Sequence, residues 1–410
     1  MLRKRLCYNN LTMRKIQNIS RYILVMLLFV FSTCIRPAFS LPVVSEVTSG
    51  TATLSTDSST LTINASDKTI INYSSFDLAA GESVIINLPS VDSSILNRVI
   101  GNSATNISGS IVCNGVFILV NERGIYLGSS ANIDAASVIL STRDISDTNF
   151  LSSKYIFSRI SKDQMDTLIS NQGTINVHDG GFGILIAGAI ENHGVVSAKV
   201  GTIALAAGDM VHVDISNTGK ISIAIDKAQA DTVLDANGNP VTDQIKNTGT
   251  LSSPGGVVLM KASAIGGLFE KAINLDGYVK ADSYDAKDGL IKIATNEDVI
   301  SQAEISATRV EIGSAEEGII PFNVELTGGS ITAGTGGVEI LAVNNITTSV
   351  DISAYNSDIR LFADYEGNGL GEFTQNAGVI ETTGLGNIFI DGSGTMMLGE
   401  ISTEAGAIII

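Results

Sequence analysis

The chain has no tryptophan, three cysteines, three histidines and only 16% charged residues. Each shortage excludes something. With aromatics at 5% and the hydrophobic residues mostly isoleucine, valine, leucine and alanine, the chain can make many short strands but few large aromatic-centred cores. Cys7 and Cys34 fall in the first 40 residues, which leaves Cys113 alone. A single cysteine forms no intramolecular disulfide and no cysteine metal cluster, so Cys113 is expected as a buried core thiol. His178, His193 and His212 are scattered, and no H-E-x-x-H, C-x-x-C, G-x-S-x-G or P-loop pattern occurs. No enzyme activity, cofactor or metal is therefore expected. Basic residues are scarce as well, 25 against 42 acidic, for a net charge of −17. Such a chain repels phosphate backbones and anionic lipid surfaces, so nucleic acid is excluded as a partner.

What is present begins with the N-terminus. Residues 1–40 carry seven basic residues and no acidic one, followed by an apolar run from Tyr22 to Phe31. Ala38-Phe39-Ser40 then places small residues where a signal peptidase reads them, which predicts a signal peptide over 1–40 and cleavage before Leu41. Its loss takes the net charge to −24.

Beyond it, short β-branched runs alternate with Ser, Thr, Asp and Gly turns. From Val43 to Ser90 these are Thr51–Leu54, Leu61–Ile63, Thr69–Tyr73 and Ser83–Leu88. Residues 158–170 are the one stretch that reads as a short helix or irregular insertion. After them a template N-x-G-x-[ILV] recurs at Asn171, Asn192, Asn217, Asn247 and Asn376. A second beat falls between, at Gly201, Gly256, Gly289, Gly337 and Gly386. In Gly201–Ala207 the alternation sets Ile203, Leu205 and Ala207 on one face.

Loosely periodic units of about 20–30 residues are a solenoid signature, because one unit cannot bury its apolar face alone. Asparagine and glycine at the repeat starts suit corners, through an amide ladder or a positive φ. The expected fold is all-β: a right-handed, single-stranded parallel β-helix, a pectin-lyase-like solenoid, with an N-terminal cap. The boundaries read as leader 1–40, a first domain 41–215, and continuing repeats 216–410. The last residues, Ala407–Ile410, end in a mid-strand pattern, as expected for a piece of a longer chain.

The stretch Asn97 to Phe157 organises this reading. Leu96-Asn97-Arg98-Val99 is followed by Ile107-x-Gly109-x-Ile111, then by Asn114-Gly115-Val116-Phe117-Ile118-Leu119-Val120-Asn121. A turn built from Asn121, Glu122, Arg123 and Gly124 leads into Ile125-Tyr126-Leu127-Gly128. Leu140-Ser141-Thr142-Arg143-Asp144-Ile145-Ser146 comes next, and Gly201 to Asp209 reads G-T-I-A-L-A-A-G-D. Together these resemble the N-terminal secretion domain of filamentous-haemagglutinin-type exoproteins, the passenger half of two-partner secretion systems, in the high-molecular-weight adhesin branch. The likeness covers about residues 50–215. The family has N-P-N-G-I where Asn121-Glu122-Arg123-Gly124-Ile125 stands, and A-S-T-L-D-I-S where Arg143 replaces the leucine. It usually carries Trp where Tyr73 stands, and Tyr73 is expected to close an apolar end with its hydroxyl kept wet.

The resemblance implies export through an outer-membrane transporter of the Omp85 superfamily, with folding outside. It implies a surface adhesin that meets glycans or proteins of host or neighbouring cells. Asn114, Gly115, Asn121, Gly124 and Ile125 are the secretion-motif residues it points to. A turn alone also explains Asn121 and Gly124. The competing class is a polysaccharide lyase or a glycan-binding passenger on the same fold. A lyase needs clustered carboxylates with Lys or Arg on one exposed sheet. The carboxylates here are dispersed.

Overall fold

The computed structural model describes residues 40–160, 166–216, 220–283 and 287–410. The expected leader lies outside them apart from Ser40, and Leu41–Ile410 forms one compact unit. That unit is a parallel β-helix. Short strands succeed one another along the chain, and each pairs in parallel with its equivalent one coil later.

Three faces repeat. One begins at Thr60–Ala65 and Ser83–Asn87 and runs through Thr174–Val177 and Val195–Ala198 to Glu400–Thr403. A second runs from Thr69–Ser75 through Phe182–Ala187 and Thr202–Ala207 to Ile408–Ile409. The third runs from Thr105–Ile107 through Ala189–Asn192 to Met396–Met397. Ser110–Val120 and Asn132–Ser141 bend around a corner and serve the first two faces at once.

Register holds the core together. On the third face Ile125, Ile169, Ile190, Ile245, Ile273, Val299, Val324, Ile346 and Phe373 stack as one inward column. On the second, Phe117, Val138, Gly183, Ile203, Val258, Ile291, Val310, Val338, Ile359 and Ile388 do the same. Strands in a ladder lie about 4.8 Å apart, so each β-branched side chain covers the one below. A fully buried Ile, Val or Leu stabilises by about 1.5–3 kcal/mol. One continuous cluster joins Leu61 to Ile390.

The N-terminal cap is antiparallel. Val43–Ser49 pairs with Thr69–Ser75, and Ala52–Asp57 with Thr60–Ala65, which closes the first rungs against stray strands. Tyr73 corrects the expectation of a wet hydroxyl. It is fully buried, its ring lies edge-on to Phe76 at 5.0 Å, and its hydroxyl donates to Asn97 Oδ1 at 2.9 Å. Asn97, also fully buried, passes its amide on to Ile118 O at 3.1 Å. A polar pair inside the end of the column thus satisfies itself without water.

The stretch 158–170, expected as a short helix or an irregular insertion, holds no helix among its described residues. Among the described residues the helix is Asp147–Leu151, capped by Ser146, whose side chain accepts from Asn149 N. Asp166–Asn171 is a rung of the third face, while residues 161–165 lie outside the description. Tyr155–Ser158, Met210–Ile215 and Ile221–Lys227 form a separate antiparallel sheet that lies off the rungs. This flap and the helix pack on a second apolar cluster, from Ile70 to Leu259, on the outside of the second face.

Candidate functional site

Asn114 and Gly115 sit at the corner of Ser110–Val120. Asn114 acts as a substitute strand: its Oδ1 accepts from Leu88 N at 2.7 Å and its Nδ2 donates to Leu88 O at 2.8 Å. A Cβ at Gly115 would lie 2.4 Å from Ser93 O, so the chain above rests directly on its backbone.

The turn that follows is built by Asn121. Its backbone N–H continues the ladder to Ser141 O, and its carbonyl accepts from Gly124 N at 3.2 Å. Its buried amide donates to Ser103 O and Thr105 Oγ1, and accepts from Arg123 N at 2.9 Å. Gly124 takes φ +107°, where a side chain is strained. Ile125 then enters the inward column. Asn121, Gly124 and Ile125 are therefore consumed in making the turn. Glu122 and Arg123 are its half-buried tip. The Glu122 carboxylate accepts from Ile160 N, and Arg123 donates to Asn102 Oδ1.

Beside the tip is a surface pocket of about 150 Å³, lined by Arg98, Ile100, Glu122, Arg123 and Asp144 among others. Arg98 donates to Asp144 Oδ1 at 2.8 Å and to Ile145 O at 2.6 Å, and pairs with Asp147 at 2.8 Å. Burial raises the Asp144 carboxyl above the ordinary range even though Arg98 opposes it. Cys113 is fully buried in the main apolar core, its thiol pushed up to about 11 by burial.

The repeat residues divide. Asn171, Asn192 and Asn247 form a buried ladder: Asn171 Nδ2 donates to Asn192 Oδ1 at 2.8 Å, and Asn192 Nδ2 to Asn247 Oδ1 at 2.7 Å. The glycine two residues on is there for close approach, not for positive φ. A Cβ at Gly194 would sit 2.1 Å from Gly173 O, and one at Gly249 would sit 2.1 Å from Gly194 O. Asn217 lies outside the described residues. The strands on either side of it pair with each other, and Asn192 pairs directly with Asn247, so successive coils skip the expected third beat. Asn376 is exposed and one residue late; Gln375 holds the ladder position opposite Thr348.

The histidines stay apart. His178 pairs with Asp134, His193 contacts Thr248 and Glu191, and His212 is on a flap strand. No group of three or more His, Cys, Asp or Glu among the described residues is placed to hold a metal ion. The strongest polar feature is one that sequence reasoning missed, the buried pair Arg143–Asp166 at 2.7 Å. Burial would raise Asp166, but the charge and hydrogen bonds of Arg143, helped by Arg159, hold its carboxyl below the usual range.

Against known proteins, the TPS (two-partner secretion) secretion domain family matches residues 38–307. The chain belongs to that family. It carries the secretion domain of a two-partner exoprotein, and such exoproteins are secreted through the outer membrane of Gram-negative bacteria by way of a partner transporter. A heme/hemopexin-binding protein of Haemophilus influenzae is 31% identical over 146 residues, which is 34% of this chain and 16% of that protein. Another from the same species is 33% identical over 109 residues, 26% of this chain and 12% of that one. The match thus spans a small part of either relative's length. The crystal structure of the HMW1 secretion domain from Haemophilus influenzae covers 89% of this chain and 98% of its own, at a TM-score of 0.59 and 22% identity. That likeness is one of fold.

Proposed function

We propose that this chain is recognised in the periplasm by an Omp85-type outer-membrane transporter, crosses through it, and then serves at the cell surface as an adhesin-like rod. Residues 1–40 would act as the leader, removed before Leu41. Residues 41–215 would carry the recognition, and 216–410 would extend the rod. The observation that carries this reading is the family match, which begins at residue 38, in the last residues of the basic, apolar leader pattern, and runs to residue 307. The acidic, narrow-cored solenoid suits a surface fibre that stays soluble. Its ligand would be a glycan or protein of a host or neighbouring cell.

Within the site, Asn114 and Gly115 act through the strand corner they form, Asn121, Gly124 and Ile125 through the turn they build, and the Glu122–Arg123 tip beside the Arg98 pocket is the part available for contact. Deleting Asn97–Phe157 is expected to leave the remainder in the periplasm of cells that make the transporter. Replacing Glu122 and Arg123 together by serine separates the two roles: it should lower secretion while the purified domain keeps its stability. Normal export of the deletion would sink the recognition reading.

A further inference from the structure

The corner that leads into the third face carries a polar column. Gln244, Ala272, Asp298, Asn323 and Asn345 each stand one residue before a stacked member of that face, Ile245, Ile273, Val299, Val324 and Ile346. From Asp298 onward the column bonds from coil to coil. Asn323 donates to Asp298 Oδ1 through its backbone N at 3.0 Å and its Nδ2 at 2.9 Å. Asn345 N donates to Asn323 Oδ1 at 3.2 Å, and Glu372 N to Asn345 Oδ1 at 2.9 Å. Ala272 interrupts the series, because a methyl group neither donates nor accepts. Gln244 and Asp298 are left two rungs apart, with about 10 Å between their backbones at about 4.8 Å per rung.

Gln244 is the polar group stranded at this gap. It is 0% exposed. Its Nε2 donates to Ala207 O at 3.1 Å and to Ser263 O at 3.0 Å. Two carbonyl acceptors fix which end of the amide is nitrogen. The oxygen, Oε1, is buried with no hydrogen-bond partner in the chain, whereas buried acceptors are paired as a rule. Gln244 lines a pocket of about 30 Å³ together with Ala272, Glu270, Glu297 and Asp298, under the loop formed by residues 263–270. With its nitrogen spent on the two carbonyls, the oxygen is the atom it offers there. The volume suits one water-sized group. No basic residue lines the pocket. Glu297 is half-buried, and burial together with the neighbouring Asp298 charge raises its carboxyl above the usual range.

We propose that this gap is a cation site, taking one hard, calcium-class ion between Gln244 Oε1 on one side and the Glu297 and Asp298 carboxylates on the other, with Glu270 at the mouth. Among the described residues no three acidic side chains hold a metal by themselves; here the amide oxygen completes the set. Mixed amide and carboxylate oxygens, with water in the remaining positions, are the donors calcium takes. A water alone satisfies Oε1 but leaves the carboxylate charges unopposed, and a cation answers both. The ion supplies the rung that Ala272 lacks, and it ties three successive coils together where the loop 263–270 leaves them. The site does not depend on the export reading above.

Calorimetric titration of the purified mature chain with calcium chloride tests it. The wild type is expected to bind one calcium with a Kd of about 0.1–1 mM, the range of extracellular calcium modules. Glu297→Gln removes a ligand charge at a half-buried position and should weaken binding about tenfold or more. Ala272→Asn puts an amide into the gap, as Asn323 does further along the column, and should abolish binding. If that variant does not fold, hydrogen exchange on the wild type gives a second reading. The Ala272 and Ile273 amides, which both donate to Asp298 O, should exchange about tenfold more slowly at calcium about ten times Kd than in chelator. No calcium binding by the wild type would overturn the site, and so would corner amides indifferent to calcium; a water then suffices in the gap. Binding that Glu297→Gln leaves unchanged would overturn it as well, by placing the ion elsewhere.

Discussion

Replacing Asn192 by leucine is expected to destabilise the purified domain by about 2–5 kcal/mol, read as a fall in the urea midpoint at unchanged slope. The side chain is fully buried and serves two neighbours, accepting from Asn171 Nδ2 and donating to Asn247 Oδ1. Leucine fills the space but strands one donor above and one acceptor below, and each stranded buried group costs about 1–3 kcal/mol. The cost lies in the isolation of the partners and not in the column itself. Leu127, Leu275 and Leu326 already occupy the same column in other coils. Changing Asn171, Asn192 and Asn247 together to leucine should therefore cost clearly less than three single changes summed. A single change as mild as a surface substitution would show that the ladder contributes little.

Gly249→Ala is expected to be comparably damaging, about 3 kcal/mol, for a different reason. The added methyl would meet the Gly194 carbonyl oxygen at 2.1 Å and the His193 and Gly194 backbone at 2.7–2.8 Å. No flexible side chain is there to yield, so the two coils must part. Gly180→Ala serves as the contrast. It has open space around its Cβ and only the strain of φ +83°, so it should cost about 1 kcal/mol. Equal losses at the two positions would mean that coil contact is not what selects glycine in N-x-G.

These two residues also explain how much could be read directly. N-x-G was legible because both positions are fixed by contact with the coil beneath, which leaves a short and strict pattern. The same letters fit other turns, which is why Asn217 was counted in the repeat although its neighbouring strands form a hairpin. Asn376 was misread because its corner holds one residue more, with Gly378 at φ +77° making the bend. The turn at Asn121 and Gly124 was legible for the same reason as the ladder: both residues are required by backbone geometry.

The flap was harder to see. Its signal lay in strands such as Thr202–Ala207, buried on both faces, since a rung open to water alternates. The helix Asp147–Leu151 has five residues, too few for a 3.6-residue period to show. The buried Arg143 joins residues 23, 65 and 86 positions away, and no spacing rule anticipates that. Tyr73 was placed at the end of the column, but its contact with Asn97, 24 residues on, could not be inferred from the cap segment alone.

The central claim is that this solenoid reaches the outside through its dedicated partner after losing its leader. The most direct test is N-terminal sequencing of the secreted chain from cells with and without the transporter. The account predicts a protein beginning at Leu41 in the medium only when the transporter is made. Recovery of a folded protein from the cytosol with residues 1–40 attached, or equal secretion without the transporter, would contradict it.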